Sequence, residues 1–144
     1  MHCELCVSRH PTELWRNEHF YVLHANDPMI PGFVRVVAVD HVSEMSDLTP
    51  HMRAELWELL NLVESVMRKE MQPKKVNLAE FGNMVPHLHW HVIPRYEDDP
   101  YFPGSVWSEV VRTVDPAVLE ERHRKETCFL RVLTQELEQF KYSN

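Results

Sequence analysis

A chain of 144 residues has room for one ordinary domain with a real core, and not for two. With 44% hydrophobic and 26% charged residues it reads as globular, which excludes a disordered or fibrous chain. The formal net charge of −7 leaves no basic stripe to displace phosphate counterions, so a broad nucleic-acid surface is excluded and a nucleotide could be met only at a local site.

Met1 to His10 is polar and lacks the apolar core of a secretion signal. No apolar run approaches the roughly 18–20 residues of a bilayer span, so no membrane partner is expected. Cys3, Cys6 and Cys128 are too few and unevenly counted for an oxidised scaffold, and a reducing cytoplasm is the expected setting. Gly32, Gly82 and Gly104 are the three glycines, too sparse for a Gly-rich phosphate loop. The compositional oddity is ten histidines.

In chain order, residues 20–25 and 33–39 read as strands, the second nearly all β-branched, with turn chemistry at Asn26-Asp27-Pro28 and Pro31-Gly32 between them. Thr49 then Pro50 form an N-cap and first helical residue. From Met52 to Met71 apolar residues recur at helical spacing until Pro73, which predicts one long helix. Residues 75–81 read as a strand ending at Gly82-Asn83, and residues 87–93 as another, stopped by Pro94. Asp115-Pro116 opens a second helix, with Val118, Leu119, Phe129, Val132, Leu133, Leu137 and Phe140 as candidate buried positions. The order β-β-α-β-β-α predicts an α+β fold on an antiparallel sheet, with the long helix packed on one face and a C-terminal helix added. The expected division is residues 1–114 as the catalytic domain and 115–144 as a helical extension of it.

The most informative segment is His87-Leu-His-Trp-His-Val-Ile93. On a strand, successive side chains alternate faces, so His87, His89 and His91 share one face and Leu88, Trp90 and Val92 the other. The apolar set docks on a helix while the imidazoles face a cleft. A three-histidine metal site is the competing reading, but ligands at i, i+2 and i+4 of a flat strand converge poorly on one tetrahedral ion.

This segment resembles the signature of the histidine-triad (HIT) nucleotide hydrolases and transferases, three histidines alternating with apolar residues. Gly82-Asn-Met-Val-Pro86 before it, Pro94-Arg95 after it, Pro31-Gly32, a 36–42 strand with His41, and Leu48-Thr49 before the helix agree in order. The resemblance spans about residues 3–107 and points to a bacterial branch with an N-terminal Cys-x-x-Cys; the helix beyond Asp115 lies outside it. It implies cleavage at the α-phosphate of a nucleoside 5′-phosphate unit, in a nucleoside phosphoramidate or dinucleoside polyphosphate, with release of a nucleoside monophosphate, AMP by expectation. His89 would attack phosphorus to give a nucleotidyl-imidazole intermediate, His91 would serve the phosphate or leaving group, and His87 would orient the site. No metal is expected in the chemical step, and no arginine finger or magnesium cluster is apparent.

By position against that family, Asn26 or Asp27 falls where an acidic residue holds the ribose. Asn77 matches a phosphate- or leaving-group-contacting position. Asn83 stands in place of a longer Gln, and Met84, in place of a small hydroxyl residue, offers only its backbone N–H. Phe33 replaces a histidine that often follows Pro-Gly. Asn26-Asp27-Pro28 reads equally well as a plain turn. Cys3-Glu-Leu-Cys6 suits half of a tetrahedral zinc site, with redox and chance readings competing, and His2, His10, His41 and His87 are available to complete it. Zinc-bearing relatives imply the set Cys3, Cys6, His41 and His87, with a structural role. Trp107 is expected to face the partner of a homodimer. Cys128 is expected in the core, and His123, among Glu120, Glu121 and Glu126, on a solvated helix face. Two competing functions remain: a nucleotidyl transferase to phosphate or a sugar phosphate, and a zinc-stabilised nucleotide-binding module without turnover.

Overall fold

Two runs of β-branched and aromatic residues, Phe20–His24 (β2) and Val34–Ala38 (β3), pair antiparallel, with Phe20 opposite Ala38 and His24 opposite Val34. The computed structural model describes residues 3–142. Glu13–Arg16 (β1), which the sequence pattern does not announce, adds at the outer side of β2 with a register shift between Glu13 and Trp15. Lys75–Ala79 (β4) and His89–Arg95 (β5) complete one antiparallel sheet in the order β1-β2-β3-β5-β4.

Pro50–Met71 (α1) begins as its sequence predicts. Thr49 accepts a hydrogen bond from the Met52 N–H at 3.2 Å, and Pro50 occupies the first turn, where its missing N–H costs nothing. The helix ends at Gln72, which takes the left-handed conformation at φ 50. Leu56, Leu59, Leu60, Val63 and Met67 form its buried stripe, and each such side chain is worth about 1.5–3 kcal/mol on burial, more than any propensity difference along the helix. That stripe meets Val22, Val34, Val36 and Val92 on one face of the sheet. Pro116–Gln139 (α2), capped by Asp115 accepting from the Ala117 N–H at 2.9 Å, packs on α1 and β1, and its Phe129, Leu133 and Leu137 are fully buried in the same core.

Several boundaries differ from expectation. β3 stops at Ala38 and the chain bends, so His41 stands beyond the strand. β4 ends at Ala79, two residues early. β5 begins at His89, which leaves His87 outside it, and runs through Pro94. Proline is tolerated there because the last β3 pair is Val34 with Val92; beyond it one side of β5 has no strand to bond. Cys128 is half-buried beside Glu70 and Arg131 and is not a core residue. Glu126 is buried, not solvated. It accepts from His24 Nε2 at 3.0 Å and from the Gly32 N–H, while His123 Nε2 donates to the Pro28 carbonyl at 2.8 Å.

Candidate active site

The sheet face opposite α1 carries the paired histidines. His89 and His91 alternate with Trp90 on β5, so both imidazoles leave the sheet on this face, with ring centroids 4.9 Å apart. They open into a cavity of about 450 Å³ whose other walls include Arg35, Phe81, Trp107 and Leu5. Asn83 and Met84 also line it, on the turn that follows β4.

The two rings present opposite chemistry to this cavity. His89 Nδ1 lies 2.6 Å from the His87 carbonyl, and a carbonyl can only accept, so Nδ1 carries the proton and Nε2 keeps a free lone pair. His91 is the reverse: Arg35 Nε donates to His91 Nδ1 at 3.3 Å, which places the imidazole proton on Nε2. One nucleophilic nitrogen and one donor therefore stand side by side. Burial, with the neighbouring charges of His89 and Arg35 acting the same way, pulls the His91 pKa down to about 3, so His91 is neutral at working pH.

His87 does not join them in the cavity. Because it precedes β5, its fully buried ring turns to the far end of the face, where Nε2 donates to the Ala38 carbonyl at 2.6 Å. Its Nδ1 lies 3.5 Å from Cys3 Sγ, 3.4 Å from Cys6 Sγ and 3.2 Å from His41 Nδ1, and Cys6 Sγ is 3.1 Å from His41 Nδ1. The four ligand atoms all fall within 4.8 Å of one another. A tetrahedral ion with bonds of about 2.0–2.3 Å needs ligands roughly 3.3–3.8 Å apart, so two thiolates and two imidazoles so spaced fit a metal with little adjustment. The Ala38 carbonyl is the outer partner that fixes the His87 ring for such a role. Burial chiefly, with the charges of His41 and His89, lowers the His87 pKa against the Ala38 contact, which favours the neutral, ligating imidazole. His10 instead accepts from the Thr12 N–H at 3.2 Å, and His2 lies outside the described residues.

The remaining sequence candidates are placed as follows. Asp27 Oδ1 accepts from the N–H groups of Met29 at 2.9 Å and Ile30 at 3.2 Å, and Asn26 adopts φ 57, so these two residues build the turn and lie outside the cavity wall. Asn77 Oδ1 accepts from Arg95 Nη1 at 2.9 Å. Arg95 also holds Asp99 through Nε at 2.8 Å and Nη2 at 3.1 Å, both side chains buried, and donates to the Gly104 carbonyl at 2.7 Å. Burial alone would raise the Asp99 pKa; donation from Arg95 and from the N–H groups of Tyr101, Tyr96 and Phe102 outweighs it and holds the carboxyl below its usual range. This knot shapes the loop that delivers Trp107. Trp107 walls its own chain's cavity, edge-on to His91 and to Phe81 at 4.8 Å each.

Sequence reasoning missed Arg35. The signal was present: a lone cation in the middle of Phe33-Val-Arg-Val-Val-Ala38, on the same strand face as Phe33. Phe33 packs edge-on to His91 at 5.7 Å, and Arg35 supplies the polar contact to that histidine.

The fold and the site together define an α+β protein built on an antiparallel sheet, one interior strand of which carries paired histidines. A family model of the HIT domain matches residues 11–98, and the chain belongs to the HIT family. A histidine triad protein of Marinobacter aquaeolei VT8 superposes with a TM-score of 0.70 at 30% identity, covering 87% of this chain and 89% of that one. The bis(5′-adenosyl)-triphosphatase of Saccharomyces cerevisiae is 32% identical over 89 residues, and that of Dictyostelium discoideum 29% over 114. The yeast match covers 58% of this chain and 43% of the relative, so the chain spans less than half of that protein; the Dictyostelium match covers 76% of each.

Proposed function

We propose that the chain is a nucleotidyl hydrolase acting at the α-phosphate of dinucleoside polyphosphates or nucleoside phosphoramidates and releasing a nucleoside monophosphate, AMP in the case expected. The observation that carries this reading is the pair of opposed tautomers in one cavity. His89 Nε2 has its lone pair free because the His87 carbonyl holds the proton on Nδ1. It attacks phosphorus, the bond from phosphorus to the leaving group breaks with its electron pair on the leaving atom, and a nucleotidyl-His89 intermediate results. His91 Nε2–H donates to a non-bridging phosphate oxygen as charge builds there. Water then attacks the same phosphorus, the P–N bond breaks with its electron pair returning to Nε2, the water gives up a proton to solvent, and His89 returns with its tautomer unchanged. The names of the yeast and Dictyostelium relatives support this substrate class.

Cys3, Cys6, His41 and His87 are read as the ligands of a structural zinc ion, which when bound would brace His87 and take no part in phosphoryl chemistry. A homodimer in a reducing cytoplasm completes the reading: Val110 and Val111 are exposed apolar residues close to Trp107, and Cys3, Cys6 and Cys128 are free thiols. The deciding experiment is AMP release from diadenosine triphosphate and an AMP-amidate by wild type and His89→Ala. The variant should keep the fold and lose AMP release from both; undiminished turnover would overturn the mechanism.

A further inference from the structure

Arg35 is a cation in the middle of an apolar strand, and packing does not explain it. On β3 it pairs with His91, so its side chain leaves the sheet on the cavity face, where it forms part of the wall. Its guanidinium carbon lies 5.3 Å from the centroid of the Phe33 ring, which supports the apolar side of the group. A guanidinium has five N–H donors. Among the described residues only Nε–H is taken up, by His91, and no carboxylate closes to ion-pair distance. Burial lowers the Arg35 pKa while the more distant charges of Glu4 and Asp27 act the other way, and an arginine remains a cation throughout. A partly buried charge without a counterion is costly unless a ligand supplies one, and Nη1 and Nη2 have only the cavity to find it in.

Building on the nucleotidyl-hydrolase reading, we propose that Arg35 is the specificity-determining residue of this site: it holds the negative charge of the leaving group and so selects dinucleoside polyphosphates over nucleoside phosphoramidates. The chemistry separates the two substrate classes. In diadenosine triphosphate, the N–P bond to His89 forms as the bond from the α-phosphorus to the bridging oxygen breaks. The electron pair stays on that oxygen, and ADP departs with one more negative charge than it carried within the substrate. A planar guanidinium meets such a phosphate with two parallel donors. In a phosphoramidate the P–N bond breaks, the nitrogen takes up a proton from solvent water, and the amine leaves without new negative charge. The guanidinium then has little to hold in the leaving group, and its remaining service is to fix the His91 tautomer.

The test compares wild type, Arg35→Gln and Arg35→Lys in kcat/KM for diadenosine triphosphate and adenosine 5′-phosphoramidate. Calorimetric binding of ADP and of adenosine is measured alongside, because it needs no turnover. Removing a charge-assisted contact should cut kcat/KM for diadenosine triphosphate about 100-fold in Arg35→Gln, and for the phosphoramidate only about 5-fold, through the loosened His91. ADP binding should weaken about 30-fold while adenosine binding changes less than about twofold. Arg35→Lys, which keeps the charge but loses the fork, should fall between, and it carries the comparison if Arg35→Gln does not fold. Equal falls for both substrates, or ADP affinity unchanged in both variants, would overturn the assignment. If wild type turns over neither substrate, the hydrolase reading fails separately, and the ADP-against-adenosine comparison still decides whether Arg35 is an anion-holding residue.

Discussion

His91 shows how neighbours decide what a histidine can do. Burial, helped by the charges of His89 and Arg35, holds its pKa at about 3, far below the ordinary 6.5, so the ring is neutral and has a donor N–H to offer. The same shift has a consequence for stability, and its sign follows from proton counting. Below about pH 6.5 the unfolded chain binds a proton at this residue that the folded chain refuses until pH falls near 3, so stability is complete above pH 6.5 and is lost progressively as the solution is acidified. Wild type should therefore lose more stability between pH 7 and 5 than His91→Asn, in urea denaturation followed by circular dichroism. Asp99 and Glu126 act in the same direction over a lower range. Both carboxyls are held below their usual pKa against the effect of burial, so their contributions are present above it and lost as pH drops through the folded value.

Among the elements, α2 is tied to the rest by more than its apolar stripe. Glu126 reaches from it to His24 at the end of β2 and to the Gly32 N–H in the loop before β3. Glu126→Gln leaves that buried constellation without its charge and should cost about 1–3 kcal/mol, read as a melting temperature lower by about 3–10 °C. A cost under about 0.3 kcal/mol would show that the apolar stripe alone docks the helix. The helices were legible in the sequence because Thr49-Pro50 and Asp115-Pro116 carry capping chemistry and the apolar spacing is helical. β2, β3 and the cavity-facing His89 and His91 were legible from β-branched runs and period-two alternation. What was not legible depended on distant partners. β1 has no alternation of its own and exists because β2 offers an edge. Glu126 looks like any helix-surface carboxylate until β2 and the β3 loop arrive beside it. His87 keeps the spacing of its neighbours, yet the strand starts two residues later and sends its ring elsewhere.

For the whole molecule, net charge says little about the site: a chain of formal charge −7 places one arginine where it matters. The Cys3, Cys6, His41 and His87 cluster acts at this larger scale, since it joins the N-terminal segment to the bend after β3 and the lead-in to β5. Zinc at about a hundred times its dissociation constant should stabilise the folded chain by about 2.7 kcal/mol, which raises the melting temperature by roughly 8 °C. Calorimetric scans before and after a chelator measure this, and the double variant Cys3→Ser, Cys6→Ser should show no zinc-dependent rise. The contacts that close this cluster run between residues 84 and 81 apart in the chain. Synthesis proceeds from the N-terminus, so Cys3 and Cys6 emerge before His87 and must wait, at about 5–20 residues per second, for it to follow. Closing so long a loop spends chain entropy before any ligand contact returns it. The segment carrying Cys3 and Cys6 should therefore be among the last parts of the fold to be fastened: residues made before the strands become the final stitch.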